Sequence, residues 1–279
     1  MKVLTANPTG LCFGVRRAIE ALERALEERG RVYSIGSPIH NPQEVERLEA
    51  RGLVVVDDLD EVPPGAPLFV RAHGIAPTLL DEALRKCGEV IDGTCPFVRK
   101  AQERARDLSA EGYPVVIVGD GEHPEVRGIL GFVKGFALVV PGDHDLVLSK
   151  LSRFAKVGVL SQTTQKMEVF SSVAKALVGI VPEVRVYNTI CSATLERQRA
   201  VCELASMVDG ILVIGGRNSA NTRKLVQIAQ EAGASVLWIE HPDELDLGWL
   251  RGRGSIGLAA GGSTPDWLIR ELIERLEKL

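Results

Sequence analysis

The chain has 279 residues, 45% of them hydrophobic and 25% charged, with a formal net charge of −4. That length supports two or three small cores, and basic residues scattered among acidic ones exclude a general affinity for nucleic acid. No apolar run approaches the roughly 18 residues needed to cross a bilayer, and the N-terminal residues Met1–Pro8 lack the apolar stretch of a secretory signal. The expectation is a cytoplasmic protein with no nucleic-acid or membrane partner, whose five cysteines serve metal binding or catalysis instead of disulfides.

In chain order, a short strand over Lys2–Thr5 precedes Cys12, which opens an amphipathic helix reading C-F-G-V-R-R-A-I-E. An apolar strand, Val32–Ile35, ends at Gly36 and leads to His40-Asn41-Pro42-Gln43-Glu44-Val45, a helix start. A middle strand runs toward Asp57–Asp58, and Leu68–Val70 runs into Arg71-Ala72-His73-Gly74 and another helix. The strand Glu89–Ile91 then reaches Cys95, where C-P-F-V-R-K-A-Q-E repeats the first pattern.

The cycle returns twice. Val115–Val118 and Gly119 lead to His123-Pro124-Glu125-Val126, Val157–Leu160 leads to Ser161-Gln162-Thr163-Thr164-Gln165, and Val184–Tyr187 leads to Cys191. After Cys191, Ile211–Ile214 and Gly215 lead to Ser219-Ala220-Asn221-Thr222. Ile256–Ala260 leads to Gly261-Gly262-Ser263-Thr264-Pro265, and a helix over Pro265–Leu279 ends the chain. His40, His123 and Ser219 each lie 28 residues after their cysteine.

Cysteine spacings of 83 and 96 residues mark domain-sized repeats. The predicted fold is α/β: three similar small units in a pseudo-threefold ring around a central iron–sulfur cluster. The units are 13–95, 96–190 and 191–279. The third lacks a final strand, and the N-terminal segment 1–12 is expected to complete it.

With no C-x-x-C pair, zinc ribbons and common ferredoxin motifs are disfavoured. Three thiolates, Cys12, Cys95 and Cys191, about a pseudo-threefold axis suit a [4Fe–4S] cluster with one iron not bound by protein; zinc held by three cysteines and a histidine is the competing reading. In open α/β sheets ligands bind beyond the carboxyl ends of strands, which is where His40, His73, His123, Ser219, Asn221 and Ser263 fall. Taken singly, each histidine reads as structural and Ser219 or Asn221 as a helix cap. Their recurrence favours a joint role in holding a phosphorylated small molecule. Glu125 is either a first-turn acid complementing the helix dipole or a general acid whose pKa burial must raise. Thr163 and Thr164 are candidate hydroxyls for a substrate oxygen. His144 and His241 read as surface residues in loops remote from the site, and Cys87 and Cys202 as core residues.

The segments G-L-C-F-G-V-R-R-A, H-N-P-Q-E-V, R-A-H-G, D-G-T-C-P-F-V, H-P-E-V-R-G, S-Q-T-T, N-S-A-N-T and G-G-S-T-P closely resemble the LytB/IspH family, in order, from Gly10 to Pro265. The resemblance implies a reductase acting on 4-hydroxy-3-methylbut-2-enyl diphosphate in the last step of the methylerythritol phosphate route to isoprenoids. It implies Cys12, Cys95 and Cys191 as cluster ligands, and His40, His73, His123, Ser219, Asn221 and Ser263 as diphosphate contacts. It also implies Glu125 as proton donor, with His123 beside it, and Thr163 near the substrate hydroxyl. Ala220 departs from the pattern, standing where many members carry a second serine. Electrons are expected from an external donor such as ferredoxin or flavodoxin, because no dinucleotide-binding fingerprint is read in the chain. The rival readings are a quinolinate synthase-like cluster enzyme and a non-catalytic cluster-bearing sensor of a phosphorylated metabolite.

Overall fold

The computed structural model describes residues 1–142 and 149–278. The expected cycle is present three times as four-stranded parallel sheets. The first contains β2 (Val32–Ile35), β3 (Leu53–Val56), β4 (Pro67–Val70) and β5 (Glu89–Asp92), in the order β3-β2-β4-β5. The second, of β6 (Val115–Val118), β7 (Ala137–Val140), β8 (Lys156–Ser161) and β9 (Glu183–Tyr187), has the order β7-β6-β8-β9. The third joins β10 (Ile211–Ile214), β11 (Val236–Ile239) and β12 (Ser255–Ala260) to β1 (Lys2–Thr5), in the order β11-β10-β12-β1. Thus β1 takes the place that β5 and β9 hold in the other two sheets. It pairs in parallel with β12, Lys2 opposite Ser255 and Thr5 opposite Leu258.

Each cysteine stands immediately before a helix: α1 (Phe13–Arg29) after Cys12, α4 (Pro96–Ala110) after Cys95, α7 (Ser192–Ala205) after Cys191. The other helices are α2 (Pro42–Glu49), α3 (Pro77–Lys86), α5 (Pro124–Leu130), α6 (Met167–Val178), α8 (Ala220–Glu231), α9 (Leu247–Leu250) and α10 (Asp266–Glu277). Proline at the first position opens α2, α3, α4 and α5, where its fixed φ fits and its missing N–H is not needed.

The chain forms two compact bodies. One comprises Met1–Arg16, Ile39–Arg51 and Ser192–Leu279, and the other Arg17–Pro38 and Gly52–Cys191. In the first body both sheet faces are covered. Leu212 and Ile214 pack with Leu268, Leu272 and Leu276 of α10, while Ile211 and Val213 pack with Val201 and Leu204 of α7 and Leu225 and Ala229 of α8. This explains why β10 reads as an unbroken apolar run: a parallel strand buried on both faces has no polar side to show. Helix α2 belongs to this body, where Trp267 Nε1 donates to Glu44 Oε2 at 2.9 Å. In the second body Val115, Ile117 and Leu160 pack against Ala105 and Leu108 of α4 and Val126 and Ile129 of α5.

Cys202 is exposed, not a core residue. The buried face of α7 runs through Arg197, Gln198, Val201 and Leu204, and Cys202 is turned about 100° from Val201. Cys87, at the end of α3, is half-buried against the core of the first sheet, and burial raises its pKa. His241 is half-buried; its Nδ1 accepts from the N–H of Asp243 at the start of a short 3₁₀ turn, the capping role that Asp58 plays in the first sheet's connection. His144 lies outside the described residues. Among the described residues, no helix is long and apolar enough to cross a membrane.

Candidate active site

The three cysteines share one backbone anchor. The Cys12 N–H donates to the Gly262 carbonyl at 2.9 Å, Cys95 to Ala72 at 3.0 Å and Cys191 to Thr163 at 3.0 Å. Each acceptor lies two residues beyond the end of the central strand β12, β4 or β8. The loop after that strand therefore sets the height of the cysteine at the head of its helix. All three cysteines are half-buried, and none is in a disulfide.

In the first body the predicted residues Cys12, His40, Ser219, Asn221 and Ser263 come together. A Cβ built on Gly262 would lie 3.5 Å from Cys12 Sγ and 3.6 Å from Asn221 Nδ2, so glycine leaves the space between thiol and amide open. The Ser263 hydroxyl donates to the His40 carbonyl at 3.1 Å. Ser219 caps α8, its Oγ accepting from the Thr222 N–H at 3.3 Å. Asn221, in the first turn of α8, has a buried Oδ1 with no hydrogen-bond partner among the described residues.

In the second body Cys95, Cys191, His73, His123, Glu125 and Thr163 come together. His123 caps α5, its Nδ1 accepting from the Glu125 N–H at 3.2 Å. That places the hydrogen of the neutral ring on Nε2. The His73 and His123 rings meet edge to face, with centroids 5.4 Å apart. Glu125 is 2% exposed. Its Oε1 accepts from the Thr163 N–H at 2.6 Å and its Oε2 from the Thr163 hydroxyl at 2.8 Å. Burial pushes the Glu125 pKa up from 4.5 to about 7, even though both Thr163 bonds favour the carboxylate. Glu125 stands in the first turn of α5, as the helix-dipole reading expects, and it also has the burial that the general-acid reading requires. Thr164 Oγ1 is buried without a hydrogen-bond partner among the described residues.

Two details depart from the sequence reading. His123 and Ser219 are helix caps, but the cap of α2 is Asn41, one residue after His40. The common 28-residue offset thus lands one position early in the first repeat. In addition, Gly252-Arg253-Gly254-Ser255-Ile256-Gly257 does spell G-x-G-x-x-G. It runs into β12 instead of turning from a strand into a helix, so it lacks the geometry that cradles a dinucleotide. Sequence reasoning also passed over Arg197, which is 4% exposed on α7.

Fold and site together define an α/β protein of three parallel sheets with a buried carboxyl whose pKa burial raises to about 7. The profile of the LytB protein family matches residues 3–277. The chain belongs to that family. It is 44% identical over 279 residues to the 4-hydroxy-3-methylbut-2-enyl diphosphate reductase of Geotalea uraniireducens, covering 100% of this chain and 98% of the relative. It is 43% identical, with the same coverage, to the reductase of the same name from Geobacter sp. strain M21. A solved structure of (E)-4-hydroxy-3-methyl-but-2-enyl diphosphate reductase, described as the terminal enzyme of the non-mevalonate pathway, matches all of both chains with 40% identity and a TM-score of 0.75. The E-1-hydroxy-2-methyl-but-2-enyl-4-diphosphate reductase of Plasmodium falciparum is 29% identical with a TM-score of 0.92, over 99% of this chain and 87% of that one.

Proposed function

We infer that the chain is an oxidoreductase of isoprenoid biosynthesis that reduces 4-hydroxy-3-methylbut-2-enyl diphosphate to isopentenyl diphosphate and dimethylallyl diphosphate. The observation that carries this reading is Glu125, a carboxyl held by Thr163 and pushed to about 7, in a chain that matches named reductases along its whole length. The reaction consumes two electrons and two protons: one proton leaves with the hydroxyl as water and the other joins the allyl carbon.

The cysteines fit an iron–sulfur centre, being outside disulfides, half-buried and equivalently anchored. We assign Cys12, Cys95 and Cys191 as ligands of one [4Fe–4S] cluster with an iron that lacks a protein ligand. When bound, the cluster supplies electrons and a Lewis-acidic iron.

The remaining work falls to the chain's own side chains. His40, His73, His123, Ser219, Asn221 and Ser263 hold the diphosphate, which positions the allyl group. His123 can do so through Nε2–H, because its Nδ1 is committed to the Glu125 N–H. Protonated Glu125 donates to the Thr163 hydroxyl, which in turn presents its own hydrogen to the substrate oxygen. Its burial keeps competing water away from that proton. Electrons come from a carrier such as ferredoxin or flavodoxin, and the reaction is placed in the cytoplasm, where free thiols persist.

The test is anaerobic reconstitution with iron and sulfide, followed by turnover of the allylic diphosphate with a reduced donor. C5 diphosphates are the expected products. A brown protein that binds the diphosphate without forming them would favour a sensor, and a colourless, iron-free one would remove every cluster reading.

A further inference from the structure

The three cysteine loops differ in length. Two residues separate β5 from Cys95 and three separate β9 from Cys191, but six separate β1 from Cys12. A longer loop has more conformations to lose, so Cys12 needs more holding than its counterparts. The shorter loops are tied locally. Thr94 N–H donates to Asp92 Oδ1 at 2.8 Å, and the Thr189 hydroxyl donates to the Ser161 carbonyl at 2.5 Å.

The Cys12 loop is tied by an arginine. Arg197 Nη2 donates to the Gly10 carbonyl, two residues before Cys12, at 2.9 Å. Its Nη1 donates to the Ala193 carbonyl, two residues after Cys191, at 3.1 Å. One planar fork therefore links the chain just before one cysteine to the helix that starts just after another. The position breaks the repeat. Six residues after each cysteine stand Ala18, Ala101 and Arg197, and both alanines are fully buried. Where two repeats pack a methyl group, the third has an arginine that is 4% exposed. A related contact appears before Cys95, where Arg17 Nη1 of α1 donates to the Thr94 carbonyl at 3.2 Å.

We propose that Arg197 is a positioning residue for Cys12, fixing the six-residue loop so that the thiol is presented for cluster binding. This rests on the reading of Cys12 as a cluster ligand. Lysine cannot reproduce the contact, since an ammonium lacks the planar fork that spans two carbonyls.

The test uses the full-length chain, reduced and stripped of iron, as wild type, Arg197→Lys and Arg197→Met. Iodoacetamide alkylation of each cysteine is followed by mass spectrometry. Losing a hydrogen bond from a charged donor predicts an increase of about tenfold in the Cys12 rate for Arg197→Met. Cys95 and Cys191 should stay near their wild-type rates, and Arg197→Lys should fall between. In reconstituted enzyme, Arg197→Met should alter the electron paramagnetic resonance signature of the reduced cluster, with Arg197→Lys restoring part of it. An unchanged Cys12 rate, or an equal rise at all five cysteines, would overturn the proposal. If Arg197→Met does not fold, Arg197→Lys decides by the same criterion. A wild type that takes up no iron would remove the cluster reading, whereas the alkylation pattern would still decide whether Arg197 holds Cys12.

Discussion

Replacing Glu125 by glutamine removes a titration that the fold has displaced from 4.5 to about 7. Glutamine keeps both contacts, its amide oxygen accepting from the Thr163 N–H and its amide nitrogen donating to the Thr163 hydroxyl. The displacement amounts to about 3 kcal/mol of differential stability. Below pH 4.5 the carboxyl is protonated in the folded and unfolded chains alike, and its favourable contribution is present in full. Between 4.5 and 7 the unfolded chain ionises while the folded chain keeps its proton, so stability falls as pH rises. Above 7 both forms are ionised and the contribution is gone. Relative to Glu125→Gln, the wild type should therefore lose about 6–12 °C in melting temperature between pH 4.5 and 8. The assay is thermal unfolding of both cluster-free proteins across that range. Melting curves that move in parallel would show that Glu125 titrates as an ordinary carboxyl and refute the argument. In reconstituted enzyme the same substitution should leave diphosphate binding intact and lower turnover by about 10²–10⁴-fold.

Thr163→Val removes a hydroxyl bond that lowers the Glu125 pKa, so the alkaline limb of the pH–rate profile should move upward while turnover falls by about tenfold. His123→Ala and His123→Asn should both weaken diphosphate binding, but only alanine should lower stability, by about 1 kcal/mol, because asparagine can still cap α5; calorimetric binding and melting curves separate the two roles. Cys202→Ser, at an exposed position, should leave iron content unchanged and stability within about 0.5 kcal/mol, whereas Cys12→Ser, Cys95→Ser and Cys191→Ser should each reduce bound iron.

The repeated strands were legible because parallel strands buried on both faces read as continuous apolar runs between glycines and polar loops. The observed bounds differ by one residue where a boundary residue is polar or proline, as at Pro67, Asp92 and Lys156. The place of each cysteine just before a helix was legible through the recurring sequence pattern, and the 28-residue offset found the helix caps at His123 and Ser219 but not at Asn41. The Glu125 pKa was not, because it depends on exclusion of water and on Thr163, 38 residues away. Nor was the company α2 keeps. Its sequence places it between β2 and β3, but its buried Glu44 bonds to Trp267, 223 residues on. Arg197 left a usable sign, an arginine where the other two repeats have alanine. It passes for an ordinary charged helix residue until burial is known.

The proposed function requires that Cys12, Cys95 and Cys191 would together hold one [4Fe–4S] cluster, with one iron left for the substrate. Mössbauer spectroscopy of iron-57-reconstituted protein, with and without the allylic diphosphate, tests this most directly. The prediction is a [4Fe–4S] signal in which about one quarter of the iron changes its parameters when substrate is added. A spectrum showing no cluster, or a cluster whose irons all ignore the substrate, would contradict it.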